Sequence, residues 1–399
     1  MDTLFYLGLI LVLGALTEWF SPRLHIPKVV AYLILGLIIG PEVLGLIPYE
    51  FVQNSHIITE LALSIIALLV GATLKFSTIK SHAKEIIYIT LFQSIGTFII
   101  VTVGFILIGS MLNFPPQNIL IIALILGGIS SATDTAAPLA LVHELRAKGK
   151  FTSTLLAIVA ADDAISLIIF TLAITLGMVF IGSAEFELSN ILSAIMIIVF
   201  SVVLGVVAGY INTILEKLFA HHKGMETIVT LGLIFIVYSL SKYWRLEPLL
   251  SSMAMGIVMV NISKDFDIVE EEIDNHLAEI IFMLFFILSA MHLKFNAIFA
   301  LPIAIEAYVV LRVFGKVLGS YMGACMANSS KEIKKYMGLA LLPQAGVAIG
   351  LALSLQKHEG LEDIAPVILN IVIATTFIHE LIGPIFTKYA LKKSGETDS

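Results

Sequence analysis

Long apolar runs separated by short polar loops dominate the chain. Thirteen of them approach or exceed the roughly 20 residues that cross a hydrocarbon core. They lie near 4–20, 29–47, 57–74, 86–110, 118–142, 152–180, 190–214, 226–241, 247–262, 277–293, 299–326, 334–354 and 364–388. The eighth and ninth are short and also read as one bent hairpin. Lipid offers no partner for backbone N–H and C=O groups, so such runs form helices, which satisfy those groups internally. The pattern predicts an all-α polytopic membrane protein of about 13 transmembrane helices. It reads as one transmembrane domain over 1–399, without a soluble domain, and the tail 392–399 is too short to form one.

Composition strengthens this picture. Of 399 residues, 58% are hydrophobic and only 13% charged, against about 25% charged in soluble proteins. Mean hydropathy is +1.00. A cytosolic enzyme and a disordered chain are both excluded. The formal charge of −7 gives no basic surface for nucleic acid. The single cysteine, Cys325, rules out a disulfide framework and a Cys-based metal site. No basic n-region or cleavage site opens the chain, so no removable signal peptide is expected. No enzymatic activity and no cofactor are expected either.

Lys and Arg fall unevenly. The odd-numbered loops and the C-terminal end hold 17 of them, the even-numbered loops 4. Cytoplasmic loops are the cation-rich ones, so the N-terminus is placed outside the cell membrane and the C-terminus in the cytoplasm. The two remaining cations, Arg312 and Lys316, lie inside the eleventh run.

A charge at the bilayer centre costs at least about 2.5–3.5 kcal/mol and marks a pair, a cavity or an ion path. Such charges gather in three runs: Asp134 in the fifth, Asp162 and Asp163 in the sixth, Arg312 and Lys316 in the eleventh. Asp162 sits eleven residues from position 151 and Lys316 eleven from position 327, the cytoplasmic ends of their spans, a depth of roughly 17 Å at about 1.5 Å per residue. They are therefore expected to pair, with Arg312, one turn outward on the same face, as the alternative or auxiliary cation. Asp162 and Asp163 differ by about 100° around a helix, so one can pair while the other faces a cavity. Burial raises a carboxylate pKa and a neighbouring cation lowers it. A carboxylate so poised holds either a proton or a metal cation, which suffices for exchange.

Two runs carry interruptions. In the fifth, Pro138 is expected to free the carbonyl of Asp134 beside the hydroxyls of Ser130, Ser131, Thr133 and Thr135, a cluster of hard oxygen donors suited to alkali cations. In the twelfth, Pro343 sits in Leu342-Pro343-Gln344-Ala345-Gly346. Runs five and twelve are offset by seven, so they cross the membrane in opposite senses. Paired interrupted segments in two inverted halves point to the binding site of a secondary transporter.

Other residues read more plainly. Gly315, Gly319 and Gly323, like Gly36/Gly40 and Gly205/Gly209, form small-residue packing faces. Glu60 reads as structural. His221-His222 read as loop histidines with pH sensing as the alternative. His379-Glu380, in the last run, reads equally as structural pairing or as part of a cytoplasmic funnel. Glu306 fits either a cation-attracting mouth or a local pair.

With these residues in view, the chain resembles the monovalent cation:proton antiporter superfamily along nearly its whole length. Ala160-Ala161-Asp162-Asp163 resembles the paired aspartates of its electrogenic Na⁺/H⁺ members. Gly315-Lys316-Val317-Leu318-Gly319 resembles its membrane lysine segment, and Thr133-Asp134 its unwound crossing helix. The resemblance implies inverted repeats with two crossed broken helices. It also implies an ion-carrying core (86–180 and 299–388) and a dimerising scaffold (1–74 and 190–293). Asp163 would bind the transported Na⁺ or Li⁺, or a proton, and Asp162 would alternate between Lys316 and the ion. Thr133 and Asp134 would bind the ion or proton with them, and Ser130, Ser131 and Glu380 would be auxiliary. A homodimer exchanging two protons per Na⁺ is expected. Arg312 beside Lys316, and Asp134 in a proline-bearing cluster, depart from the usual pattern and bear on cation choice. A K⁺/H⁺ exchanger of the same fold is the alternative. A nucleotide-binding domain like that of the glutathione-gated potassium-efflux relatives is not expected.

Rival classes fit less well. An intramembrane aspartyl protease needs Gly-x-Gly-Asp, which neither Asp134 nor Asp162 has. A rhomboid-type serine protease lacks its motif here. A bile-acid-type symporter would lack the double Asp–Lys set. A passive cation channel would repeat a filter symmetrically.

Overall fold

The computed structural model describes residues 3–24, 26–112, 114–180, 188–219, 225–263, 273, 277–292, 301–355, 361 and 363–397. Among them are sixteen α-helices and no strand. In chain order these are α1 (Thr3–Leu24), α2 (Lys28–Ile39), α3 (Tyr49–Asn54), α4 (His56–Ala72), α5 (Phe76–Ile108) and α6 (Ile119–Ser130). Then come α7 (Ala136–Leu145), α8 (Lys150–Phe180), α9 (Leu188–Phe219), α10 (Met225–Tyr243) and α11 (Pro248–Ile262). The last are α12 (Glu279–Met291), α13 (Pro302–Met326), α14 (Lys331–Ala340), α15 (Gly346–Ser354) and α16 (Ala365–Ser394).

Each of the thirteen apolar runs coincides with helix. The fifth and twelfth are divided, into α6 with α7 and α14 with α15. The eighth and ninth are two separate helices, α10 and α11, joined through Arg245 in a left-handed conformation (φ 58°). Boundaries differ where polarity and helicity part company. The second run was expected to reach 47, but α2 stops at Ile39, because Gly40 and then Pro41 end it. α5 begins ten residues before its apolar run. Its first turns hold Lys80, His82, Lys84 and Glu85, which form helix as readily as apolar residues do. Its 33 residues span about 50 Å at 1.5 Å per residue, more than a hydrocarbon core.

The chain divides into two units, Met1–Ser81 with Met196–His292, and His82–Ile195 with Leu293–Ser399. In the first unit helices pack backbone to backbone over glycines. A Cβ on Gly71 would strike the carbonyl of Met253, and one on Gly256 that of Leu68, which locks α4 onto α11. Gly205 and Gly209 do the same for α9 against Ser251 and Val258 on α11, and Gly36 for α2 against Ile287 on α12. Glu60 bonds Lys242 in this unit, and Lys28 bridges Glu18 (2.5 Å) and Glu279 (3.1 Å).

In the second unit an apolar cluster including Val101, Phe105, Ile125, Phe170, Tyr308 and Ile371 packs α6 and α15, one half of each divided helix, against α5, α8, α13 and α16. α13 lies on α5 along Gly315, Gly319 and Gly323. Cβ atoms there would come within 2.7 Å of the Cα atoms of Thr97, Gln93 and Ile89 respectively. That close approach is what glycine every four residues permits.

Candidate functional site

Residues 131–135 and 341–345 are non-helical, and the two unwound stretches meet: the Asp134 N–H donates to the Pro343 carbonyl at 3.0 Å. Backbone of this kind is stable at membrane depth only when buried in protein or lining a cavity. All five residues of each stretch are buried, so their free carbonyls need partners from side chains.

The cause of the first break differs from the expectation built on Pro138. Pro138 is the third residue of α7, where an N–H has no helical partner in any case, so the chain unwinds ahead of it. Asp134 is not a bare acid here. Its carboxylate accepts the N–H groups of Ala136 (3.1 Å) and Ala137 (2.8 Å), capping α7. The hydroxyls of Ser130 and Ser131 donate back to Gly127 O (2.6 Å) and Gly128 O (2.7 Å). In the second break Pro343 lies within the unwound stretch itself.

Arg312 is fully buried and bonds carbonyls, not a carboxylate. Its Nε donates to Ser130 O (3.1 Å), Nη1 to Leu342 O (2.6 Å), and Nη2 to Ala132 O (2.7 Å) and Pro343 O (3.3 Å). The pairing expected from charge alone is replaced by a brace. The planar guanidinium spans both breaks and sits at the C-terminal, electronegative ends of α6 and α14.

Lys316, one turn along α13, holds the acidic partner. Its Nζ donates to Gln93 Oε1 (2.5 Å), Ser131 O (2.5 Å), Thr133 Oγ1 (2.7 Å) and Asp162 Oδ2 (3.1 Å). The pair inferred from equal depth is thus in contact, with both side chains at 0% exposure. Asp162 is satisfied from every side. Gln93 Nε2 and Ser94 Oγ both donate to Oδ1 at 2.5 Å, and Thr133 Oγ1 donates to Oδ2. The ammonium lies among four oxygens, much as a desolvated alkali cation would.

Gln93 and Ser94 on α5 belong to this cage and were not singled out in the sequence. Gln93 uses both ends of its amide, one on each member of the ion pair. The available signal was a cluster of buried uncharged polar residues, Gln93, Ser94 and Thr97, in the fourth apolar run. The glycine stripe of α13 carries the cage geometry. Gly319 and Gly315 flank Lys316 and let α13 approach α5 closely enough for Nζ to reach Gln93.

Asp163, next to Asp162 on α8, is 5% exposed, and its charge acts on Lys316 without the direct hydrogen bond that Asp162 accepts. Glu380 is buried on α16. His379 beside it is fully buried. Its Nδ1 lies 2.7 Å from Thr375 O, and its ring meets that of Tyr308 edge to face at 6.3 Å. Tyr308 in turn accepts from Gln344 Nε2 (3.1 Å), which also donates to Ile129 O (3.1 Å). This second polar cluster lies one turn behind Arg312 on α13. Glu306 is exposed, and His221-His222 lie outside the described residues.

Two crossed broken helices around a buried acid–lysine cage define a secondary transporter of the inverted-repeat kind. The chain belongs to the family described as sodium/hydrogen exchanger, transmembrane, which it matches over residues 8–393. It is accordingly a multi-pass membrane protein of the cation/proton antiporter class. It is 25% identical over 395 residues to the Na⁺/H⁺-K⁺ antiporter GerN of Bacillus cereus, covering 96% of this chain and 95% of that one. It is 21% identical over 406 residues to a Na⁺/H⁺ antiporter of Enterococcus hirae, covering 98% and 99%. In fold it is similar to the sodium proton antiporter MjNhaP1 of Methanocaldococcus jannaschii, with a TM-score of 0.75, 21% identity and full coverage of both chains.

Proposed function

We propose that the chain exchanges Na⁺, with Li⁺ as a second substrate, for protons by alternating access at Asp162 and Asp163. The observation that carries this reading is the Lys316 ammonium held among four oxygens at 2.5–3.1 Å in a fully buried site. An alkali cation seeks the same donors. Two cations in one dry cage repel strongly, so the entering ion drives Lys316 to leave or to release its proton. Asp163 binds the ion when ionised and a proton when not. Asp162 passes between Lys316 and the ion. Two protons are thereby exchanged per Na⁺, and the cycle is electrogenic. Thr133 supplies a hydroxyl to the ion. Arg312 and Asp134 hold the crossing in shape, and Ser130, Ser131 and Glu380 are auxiliary. No cofactor takes part.

In this reading residues 86–180 and 299–388 are the ion-carrying core, and 1–74 with 190–293 the scaffold through which two copies dimerise. The loop bias of Lys and Arg supports a cell-membrane topology with the N-terminus outside and the C-terminus cytoplasmic. The name of the Bacillus cereus relative includes K⁺, which makes K⁺/H⁺ exchange the second reading.

The test is a proteoliposome assay with a trapped pH dye and Na⁺, Li⁺ and K⁺ added in turn. Na⁺ and Li⁺ are expected to dissipate an imposed proton gradient. A response to K⁺ alone would transfer the assignment to K⁺/H⁺ exchange. Cation flux that needs no opposing proton movement would indicate a channel. Asp163→Asn is expected to abolish every cation-dependent proton signal while melting like the parent, and retained exchange would refute the role given to Asp163.

A further inference from the structure

The second unit carries a groove of about 460 Å³ away from the cage. One wall is apolar: Phe314, Val317, Leu318 and Tyr321, which recur at helical spacing along a single face of α13. Phe314 is 59% and Tyr321 51% exposed, so this face looks outward, while Arg312 and Lys316 on the same helix are fully buried. The other wall is basic: Lys331, Lys334 and Lys335 from the first turns of α14. At spacings of three and four these lysines share one face of that helix. Ile333 and Met337 turn inward from it. Among the described residues none of the three lysines enters an ion pair. The neighbouring acid, Glu332, is exposed, hydrogen-bonds Ser330 and attracts Lys331 only through solvent, and Lys335 lies over the Tyr336 ring at 5.2 Å.

We propose that this groove binds an anionic phospholipid, an acyl chain lying along Phe314–Tyr321 and the phosphate held by Lys331, Lys334 and Lys335. Charge complementarity selects the occupant. A chain of formal charge −7 concentrates three lysines at the end of an apolar wall, where a lipid headgroup meets its tails. Basic pockets between membrane helices on the cytoplasmic side recognise such headgroups, and lysine stems lie along apolar surface with the ammonium kept at the interface. A soluble anion would leave the apolar wall unused. A zwitterionic lipid would bring a cation against the lysines. This inference rests on the membrane placement of α13 and α14, not on the identity of the transported ion, so the two readings fail separately.

The test is thermal unfolding of the full chain in detergent. Phosphatidylglycerol, cardiolipin, phosphatidylcholine or inorganic phosphate is added to separate samples. The anionic lipids are expected to raise the midpoint by about 3 °C or more, as a ligand of the native state does. Phosphatidylcholine and inorganic phosphate are expected to leave it unchanged. Joint replacement Lys331→Gln, Lys334→Gln and Lys335→Gln is expected to remove the increment. Leu318→Trp, which fills the groove and keeps the lysines, is expected to reduce it and decides the matter if the triple variant does not fold. Equal increments in parent and variants would overturn the proposal, as would an equal response to phosphatidylcholine or to phosphate alone.

Discussion

At the scale of single residues, the proposed mechanism places function on the same atoms that are costly to bury. Asp162 lies in a fully buried site where four donors face it. Removing one partner of a buried ion pair is more damaging than replacing the whole pair, since the remaining charge is left uncompensated. Lys316→Ala is therefore expected to destabilise the protein by about 3–5 kcal/mol and to alter coupling, read by thermal unfolding and by transport in liposomes. A variant that melts and transports like the parent would refute the pairing. These charged residues were legible in the sequence because ionisable groups in apolar runs are costly enough to demand a reason. Gln93 and Ser94 were not. An uncharged polar residue in a membrane helix is ordinary, and its partners appear only when α5 lies against α13. Arg312 and Asp134 were read as site charges, yet they bond backbone carbonyls and N–H groups, which exist as partners only once the chain has unwound.

At the scale of elements, the broken helices and the glycine stripe form one device. The apolar runs matched most helix positions to within a few residues, missing the early end of α2 and the early start of α5, and Pro343 marked the second break. Pro138 stands at the third position of α7, inside the helix and not in the unwound stretch that precedes it. The spacing of Gly315, Gly319 and Gly323 carried the packing information correctly. Gly319→Val is expected to force α13 off α5, because a Cβ there already meets Phe92 O at 2.6 Å and Gln93 Cα at 2.7 Å. Overpacking of this size costs about 1–3 kcal/mol. Displacing Lys316 from Gln93 should also lower transport more than stability alone explains. The check is to compare melting and transport in Gly319→Ala and Gly319→Val; if transport persists after a loss of stability, the stripe holds the fold and not the cage.

At the scale of the whole molecule, the two-unit division and the inverted crossing bring residues from α5, α6–α7, α8, α13 and α14–α15 to one buried point in the second unit. That convergence follows from long-range topology. Sequence reveals it indirectly, through matched depths and paired interruptions in opposite-running helices. The central claim is that cation and proton compete for this point. Its most direct measurement is the apparent KM for Na⁺ in proteoliposomes as a function of pH on the binding side. Competition predicts that KM rises steadily as pH falls while the maximal rate at saturating Na⁺ holds. A KM for Na⁺ that stays constant across the same pH range, with only the maximal rate changing, would contradict it.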